Sequence, residues 1–226
     1  MNKNKKHSRQ RGFTLIELLM VVLLLSIVVG AVFSQIDRAQ VRYRVEDQKV
    51  DLTQQEREFI DQFTRDLHQA GYPSAAMYGG IGTANQIALG VTSLSSNDIV
   101  VEGDVDGDGL VDTVEYSYFD GAGWPTNGPP NPCPCIRRSQ LPKGAAGPAT
   151  NFTQVQNVVG TSFFTAFDAG GGTITLPASA SDLAKIKTVQ ITLTTQGAAQ
   201  DSDAHTSIQV TMTGMARSLS RWCWPW

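Results

Sequence analysis

The chain has 226 residues, 41% of them hydrophobic, with a formal net charge of −3 at pH 7, enough apolar material for a core and too much for a chain disordered throughout. Five basic residues and no acid fall in the first twelve positions, so 13 basic residues face 21 acidic ones over the rest, a balance of −8 that excludes a general nucleic-acid surface.

The basic head, with Lys3, Lys5, Lys6, Arg9 and Arg11, precedes 21 residues from Phe13 to Phe33 whose one ionisable member is Glu17. At about 1.5 Å per residue this run is long enough to cross a hydrocarbon core of roughly 30 Å. The positive-inside rule keeps the N-terminus in the cytoplasm and sends the remainder outward. An ordinary secretory signal fits poorly, because its apolar region is about 7 to 15 residues and a small-x-small cleavage site follows it.

Gly12-Phe13-Thr14-Leu15-Ile16-Glu17, between a short basic leader and the apolar run, resembles the class III signal of type IV pilins and pseudopilins. The resemblance implies that a prepilin peptidase cuts between Gly12 and Phe13 and methylates the new amine, making Glu17 the fifth residue of the mature chain. A carboxylate in lipid is costly unless paired. Glu17 is therefore expected to be an assembly device, satisfied by the amine of a neighbouring subunit's first residue. The implied partners are other pilins, the peptidase and the bacterial inner membrane, with a pilus or pseudopilus as destination.

Helical periodicity continues past the span. Val41, Val45, Leu52, Phe59, Phe63 and Leu67 recur at helical spacings, with Asp37, Arg38, Arg44, Glu46, Asp47, Glu56, Arg57, Glu58 and Arg65 between them. Gly71 and Pro73 stop the pattern. The spacing predicts one helix from Phe13 to Ala70.

Beyond Pro73 the period becomes two. Strands are predicted at 86–91, 98–103, 113–119, 135–140, 161–167, 187–195 and 207–215. An antiparallel sheet packed on the apolar stripe of the helix makes the fold α+β. The expected organisation is a cleaved leader (1–12), a membrane and assembly helix (13–36), its amphipathic extension (37–72) and an extracytoplasmic β-rich domain (73–226). Seven of the ten prolines lie in 120–150, which predicts a long surface loop there, read either as a partner-contacting tip loop or as a tolerated insertion. RDLHQAGYP, TSFFTAFDAGG and IKTVQITLTTQ, with a late strand ending near Arg217, resemble minor pilins and pseudopilins of the PilW and PulJ type.

Asp104-Val-Asp106-Gly-Asp108-Gly109-Leu110-Val-Asp112-Thr-Val-Glu115 fits the twelve-residue calcium loop. Asp104, Asp106 and Asp108 supply positions 1, 3 and 5, Gly109 the turn, the Leu110 carbonyl position 7, Asp112 a water-mediated contact, and Glu115 two closing oxygens. Strand-like flanks remove the helices of a calcium switch, so a bound Ca²⁺ is expected to be structural. A solvated Asp-Gly hairpin turn is the alternative. Asp201 and Asp203 form a second acidic turn that lacks the glycine and the closing carboxylate.

No nucleophile elbow, phosphate-cradling glycine loop or zinc ligand set occurs in the sequence. His68 is placed at the helix end, where it meets the helix dipole, and Gly170-Gly171-Gly172 reads as a turn. Cys133, Cys135 and Cys223 match no zinc spacing, and outside the cytoplasm a disulfide is expected. Closing Cys133 onto Cys135 is a small, strained ring, so a bridge from one of them to Cys223 is the expected pairing, against three free thiols. The reading that follows is a non-enzymatic minor pilin or minor pseudopilin, at or near the tip of a type IV pilus or type II secretion pseudopilus. The alternative is a membrane-tethered calcium-dependent adhesion module.

Overall fold

The computed structural model describes residues 12–79, 81–122, 133–145, 150–200 and 207–217. A 55-residue helix α1 (Leu15–Gln69) is followed by strands β1 (Gly90–Leu94), β2 (Asp98–Gly103), β3 (Asp112–Phe119), β4 (Cys135–Pro142), β5 (Thr150–Gln156), β6 (Phe164–Phe167) and β7 (Thr173–Ile174). A short helix α2 (Ala180–Leu183) precedes the long strands β8 (Thr188–Gln200) and β9 (Ser207–Arg217). The fold is mixed α+β, as the change of period predicts.

The chain divides into two units between Arg44 and Val45. In the first, α1 is exposed along its apolar face, from Leu15 to Phe33 and on to Val41. Its most apolar 18-residue window has a mean hydropathy of 2.9, long and apolar enough to cross a membrane. Val41, expected on the core stripe, is exposed, and burial begins at Val45.

In the second unit the remainder of α1 packs on two antiparallel sheets rather than one. The first has the order β1-β2-β3-β4-β5 and the second β7-β6-β8-β9. Phe59, Phe63 and Leu67 of α1, with Ala70 just past its end, join Ile99, Val114, Tyr116 and Ile136 of the first sheet and Phe164, Val189, Ile191 and Leu193 of the second in one cluster. The Tyr116 ring meets Phe59 and Phe63 edge-on, at centroid distances of 5.7 and 5.3 Å. Full burial of a side chain of this size contributes about 1.5–3 kcal/mol, so these three rings anchor helix to sheet.

Gly71, at φ 85°, turns the chain out of α1. The end of β2 passes so close that a Cβ on Gly103 would lie 2.5 Å from the Gln69 carbonyl oxygen.

Strands β2, β3 and β4 start within a residue of expectation, and β8 and β9 run past the predicted ends. β1 begins at Gly90 because Ala84–Gln86 form a turn of 3₁₀ helix capped by Thr83. β5 and β7 were not predicted. β5 follows the proline-rich stretch and contains few apolar residues, and β7 has two residues. Of the expected loop, 123–132 and 146–149 lie outside the described residues, as do Asp201, Asp203 and Cys223. The Gly170–Gly172 run is a turn, its Gly170 and Gly172 amides donating to Asp168 Oδ1 at 2.8 Å each.

The cysteine pairing differs from expectation. Cys133 is bonded to Cys135, not either of them to Cys223. The chain turns at Pro134, bringing the two Cα atoms to 4.3 Å, so the one-residue spacing does not keep the sulfurs apart. Thiol titration of the denatured protein separates the two pairings. Wild type has one reactive thiol in either case, whereas Cys223→Ser should have none with the observed bridge and two with the bridge expected from spacing.

Candidate functional site

At the start of α1, Gly12 and Phe13 are exposed, Phe13 at 81%. Thr14 donates to Glu17 Oε2 from both its backbone amide and its hydroxyl, at 2.9 Å each, and the Glu17 amide returns a 3.4 Å bond to Thr14 Oγ1. This reciprocal pair is a capping box, which satisfies helix-terminal amides that have no intrahelical partner. The spacing Thr-x-x-Glu was visible in the sequence, and Thr14 is the residue the sequence reading missed. Its donors are neutral, so they orient the carboxylate without cancelling its charge.

The acidic loop joins β2 to β3 as a hairpin connection. One carboxylate oxygen from each of Asp104, Asp106 and Asp108 lies within 4.8 Å of the others. Backbone amides hold the three in place. Asp104 accepts from Gly107 (2.8 Å) and Gly109 (3.1 Å), Asp106 from Asp108 (3.2 Å), and Asp108 from Leu110 (2.8 Å). Gly107 and Gly109 both have positive φ, the conformation that folds the loop back on itself. Leu110 is exposed at the turn. Asp112 opens β3 and is buried. Its carboxyl is pushed above the usual carboxylate range first by burial and then by the charge of Asp106, with Asp108 and Asp104 adding to it. A donor set of crowded carboxylate oxygens suits a hard cation.

Glu115 is not part of this set. Along β3, Asp112, Val114 and Tyr116 are buried on one face while Thr113, Glu115 and Ser117 point to the other. A strand rises about 3.3 Å per residue and alternates faces, so the residue that a helix would curl back onto the ion is carried away from it. Glu115 instead lies near the Asp98 carboxyl across the β2–β3 pair and accepts from it when Asp98 is protonated, with Asp98 opposite Ser117 and Val100 opposite Glu115 in the register. Burial, and then the Glu115 charge, push Asp98 up to about 6.

From the loop a chain of polar contacts leads to the helix. Gln140 Nε2 donates to Asp112 Oδ2 (2.9 Å), Arg138 Nη2 to Gln140 Oε1 (3.0 Å), and Arg138 Nε to Asp66 Oδ2 (2.7 Å). The Tyr116 hydroxyl also donates to Asp66 Oδ2, at 2.6 Å, and Gln62 Nε2 to Oδ1 at 2.7 Å. Burial and the Asp66 charge push the Tyr116 phenol far up, so it remains a donor. The Arg138 side chain, with Arg65, Gln140 and Gln154, borders an open polar cleft of about 570 Å³. His68 is exposed near the end of α1.

Residues 7–33 match the family model described as the prokaryotic N-terminal methylation motif. No curated protein and no solved structure matches the chain. The matched segment contains Gly12, Phe13, Thr14 and Glu17 and runs through the apolar stretch of α1.

The Asp98–Glu115 contact has a pH signature. Asp98 holds its proton more tightly when folded, about 6 against an ordinary 3.8, so its contribution to stability is fully present in acid and is lost as pH rises through that window. Glu115→Gln removes the repelling charge. The variant should melt above wild type at about pH 8 and with it at about pH 4, as thermal unfolding across the range would record.

Proposed function

We propose that this chain, whose N-terminal segment is that of the type IV pilin and pseudopilin class, is a structural minor pilin or minor pseudopilin. It is cut by prepilin peptidase between Gly12 and Phe13 and assembled at or near the tip of a type IV pilus or type II secretion pseudopilus. The observation that carries the reading is the methylation-motif match at residues 7–33, joined without a break to a helix apolar enough to anchor in the inner membrane. The finer assignment, to the PilW and PulJ type, rests on the resemblance of RDLHQAGYP, TSFFTAFDAGG and IKTVQITLTTQ.

Cleavage would turn an amide nitrogen at Phe13 into a cation. Glu17 already has its two neutral donors from Thr14, and in hydrocarbon a charge with neutral donors alone is still costly. The amine of a neighbouring subunit supplies the missing positive charge. Docking and neutralisation are then one event.

Mass spectrometry of the membrane-extracted protein should find a chain beginning at methylated Phe13, and Glu17→Ala should insert and be cut normally yet fail to enter filaments. A chain beginning at Met1 or near Gln35, or normal incorporation of Glu17→Ala, overturns the reading.

The domain would also carry a structural Ca²⁺ in the β2–β3 hairpin, held by Asp104, Asp106, Asp108 and the Leu110 carbonyl, with Asp112 behind them. Convergence of three carboxylates supports it. Without a closing Glu115 the affinity belongs to the weak range of about 10⁻⁴–10⁻³ M. At about ten times Kd, a ligand bound by the folded state alone adds about 1.4 kcal/mol. Detergent-solubilised full-length protein should therefore melt a few degrees higher with millimolar Ca²⁺. Asp108→Ala should lose that shift and Glu115→Gln should keep it. Identical melting of wild type with and without the ion makes the loop an ordinary turn.

A further inference from the structure

Glu56, placed by its sequence among the exposed charges of α1, is fully buried, with 0% of its surface accessible. The hydroxyl of Thr195, itself fully buried in β8, donates to Glu56 Oε1 at 2.8 Å. Glu56 Oε2 is buried and has no hydrogen-bond partner, and the buried Oε1 of the adjacent Gln55 has none either. Among the described residues no ion pair involves Glu56.

Among the described residues no cation is paired with Glu56, and Lys49, two turns earlier on the same face of α1, is bonded to Glu46 instead. On α1 the residues a helical turn away are Leu52, Phe59 and Ile60, all apolar, and Thr53. Opposite Thr195 in β9 stands Val210, and Val158 bridges to Thr195 from the other side. The charged neighbours on the helix, Asp51, Arg57 and Glu58, are exposed on other faces. A buried carboxylate with one neutral donor is among the costliest groups a core can hold, and such a group takes up a proton rather than remain charged. A buried Glu56 Oε2 without a donor calls for a hydrogen, not for a negative charge.

We propose that Glu56 is carried as the neutral acid in the seam between α1 and β8, so that this helix–sheet contact is loaded with a proton, tight in acid and slackened as the medium turns alkaline. The carbonyl oxygen is then Oε1, accepting from Thr195, and Oε2 bears the proton. Burial raises the group's affinity for that proton above the ordinary value of 4.5, outweighing the opposing Thr195 bond. The sign follows. Folded chain binds the proton more tightly than unfolded chain, so stability falls as pH rises from about the unfolded value through the folded one. The inference concerns the seam of the second unit and is independent of the filament reading.

The test is infrared spectroscopy of detergent-solubilised full-length protein near neutral pH. Wild type should show the C=O stretch of a protonated carboxyl that Glu56→Gln lacks, and Thr195→Val should move that band to higher frequency by removing the bond to the carbonyl oxygen. Glu56→Gln should also melt above wild type in alkali, with the gap closing in acid. Should Glu56→Gln fail to fold, the Thr195→Val band shift decides alone. Absence of the band from wild type, or a band that Thr195→Val leaves unmoved, overturns the proposal.

Discussion

The second unit depends on how one carboxylate, Asp66, is buried. At 2% exposure it lies on the core side of α1 and faces the middle of the first sheet. An ion pair in that position gains little over an apolar contact, because removing two charges from water costs several kcal/mol per ion before their attraction returns any of it. The cost is met through satisfaction of the carboxylate by three donors. Arg138 comes from β4, Tyr116 from β3 and Gln62 from the preceding turn of α1, each at 2.7 Å or less. Because Arg138 and Tyr116 come from two strands of the sheet while Gln62 moves with α1, one helix position satisfies both strand donors. Sliding α1 by a residue would take the carboxylate away from the guanidinium and the phenol. The apolar cluster makes the contact between helix and sheet favourable, and Asp66 specifies its register.

Glu56 shows the opposite solution on the same helix. Ten residues earlier, and equally buried, it has one hydroxyl donor and no cation. The first sheet presents Arg138 and Tyr116 to its acid, whereas the second presents Thr195 in an otherwise aliphatic row of Val189, Ile191 and Leu193. The two sheets therefore hold α1 by different physics, charge satisfaction on one side and apolar burial with a single polar contact on the other.

Much of this was legible in the sequence. The span, the helix end at Gly71 and the strands β2, β3, β4, β8 and β9 follow from apolar period, a glycine with positive φ and β-branched alternation, all of them local properties. What escaped was long-range. Glu56 read as one of the charges between the apolar positions because helical periodicity identifies a face but not the width of what covers it, and two sheets cover more of α1 than one would. β5 escaped because Asn, Thr and Gln fill its positions and its pairing with β4 supplies what its composition does not. The disulfide was misassigned by counting residues where a turn at Pro134 sets the distance.

The acidic hairpin shows how a motif depends on the element that follows it. Its first five ligand positions need only a tight turn, and Gly107 and Gly109 provide one in a β-hairpin as they would between helices. The twelfth position needs a helix. In an α-helix three residues advance about 4.5 Å and return nearly to the same face. In β3 the three residues from Asp112 to Glu115 advance about 10 Å and cross to the opposite face. The same letters therefore place three aspartates together and send the glutamate to Asp98 instead. The hairpin keeps the converging aspartates of a calcium loop but not its closing glutamate.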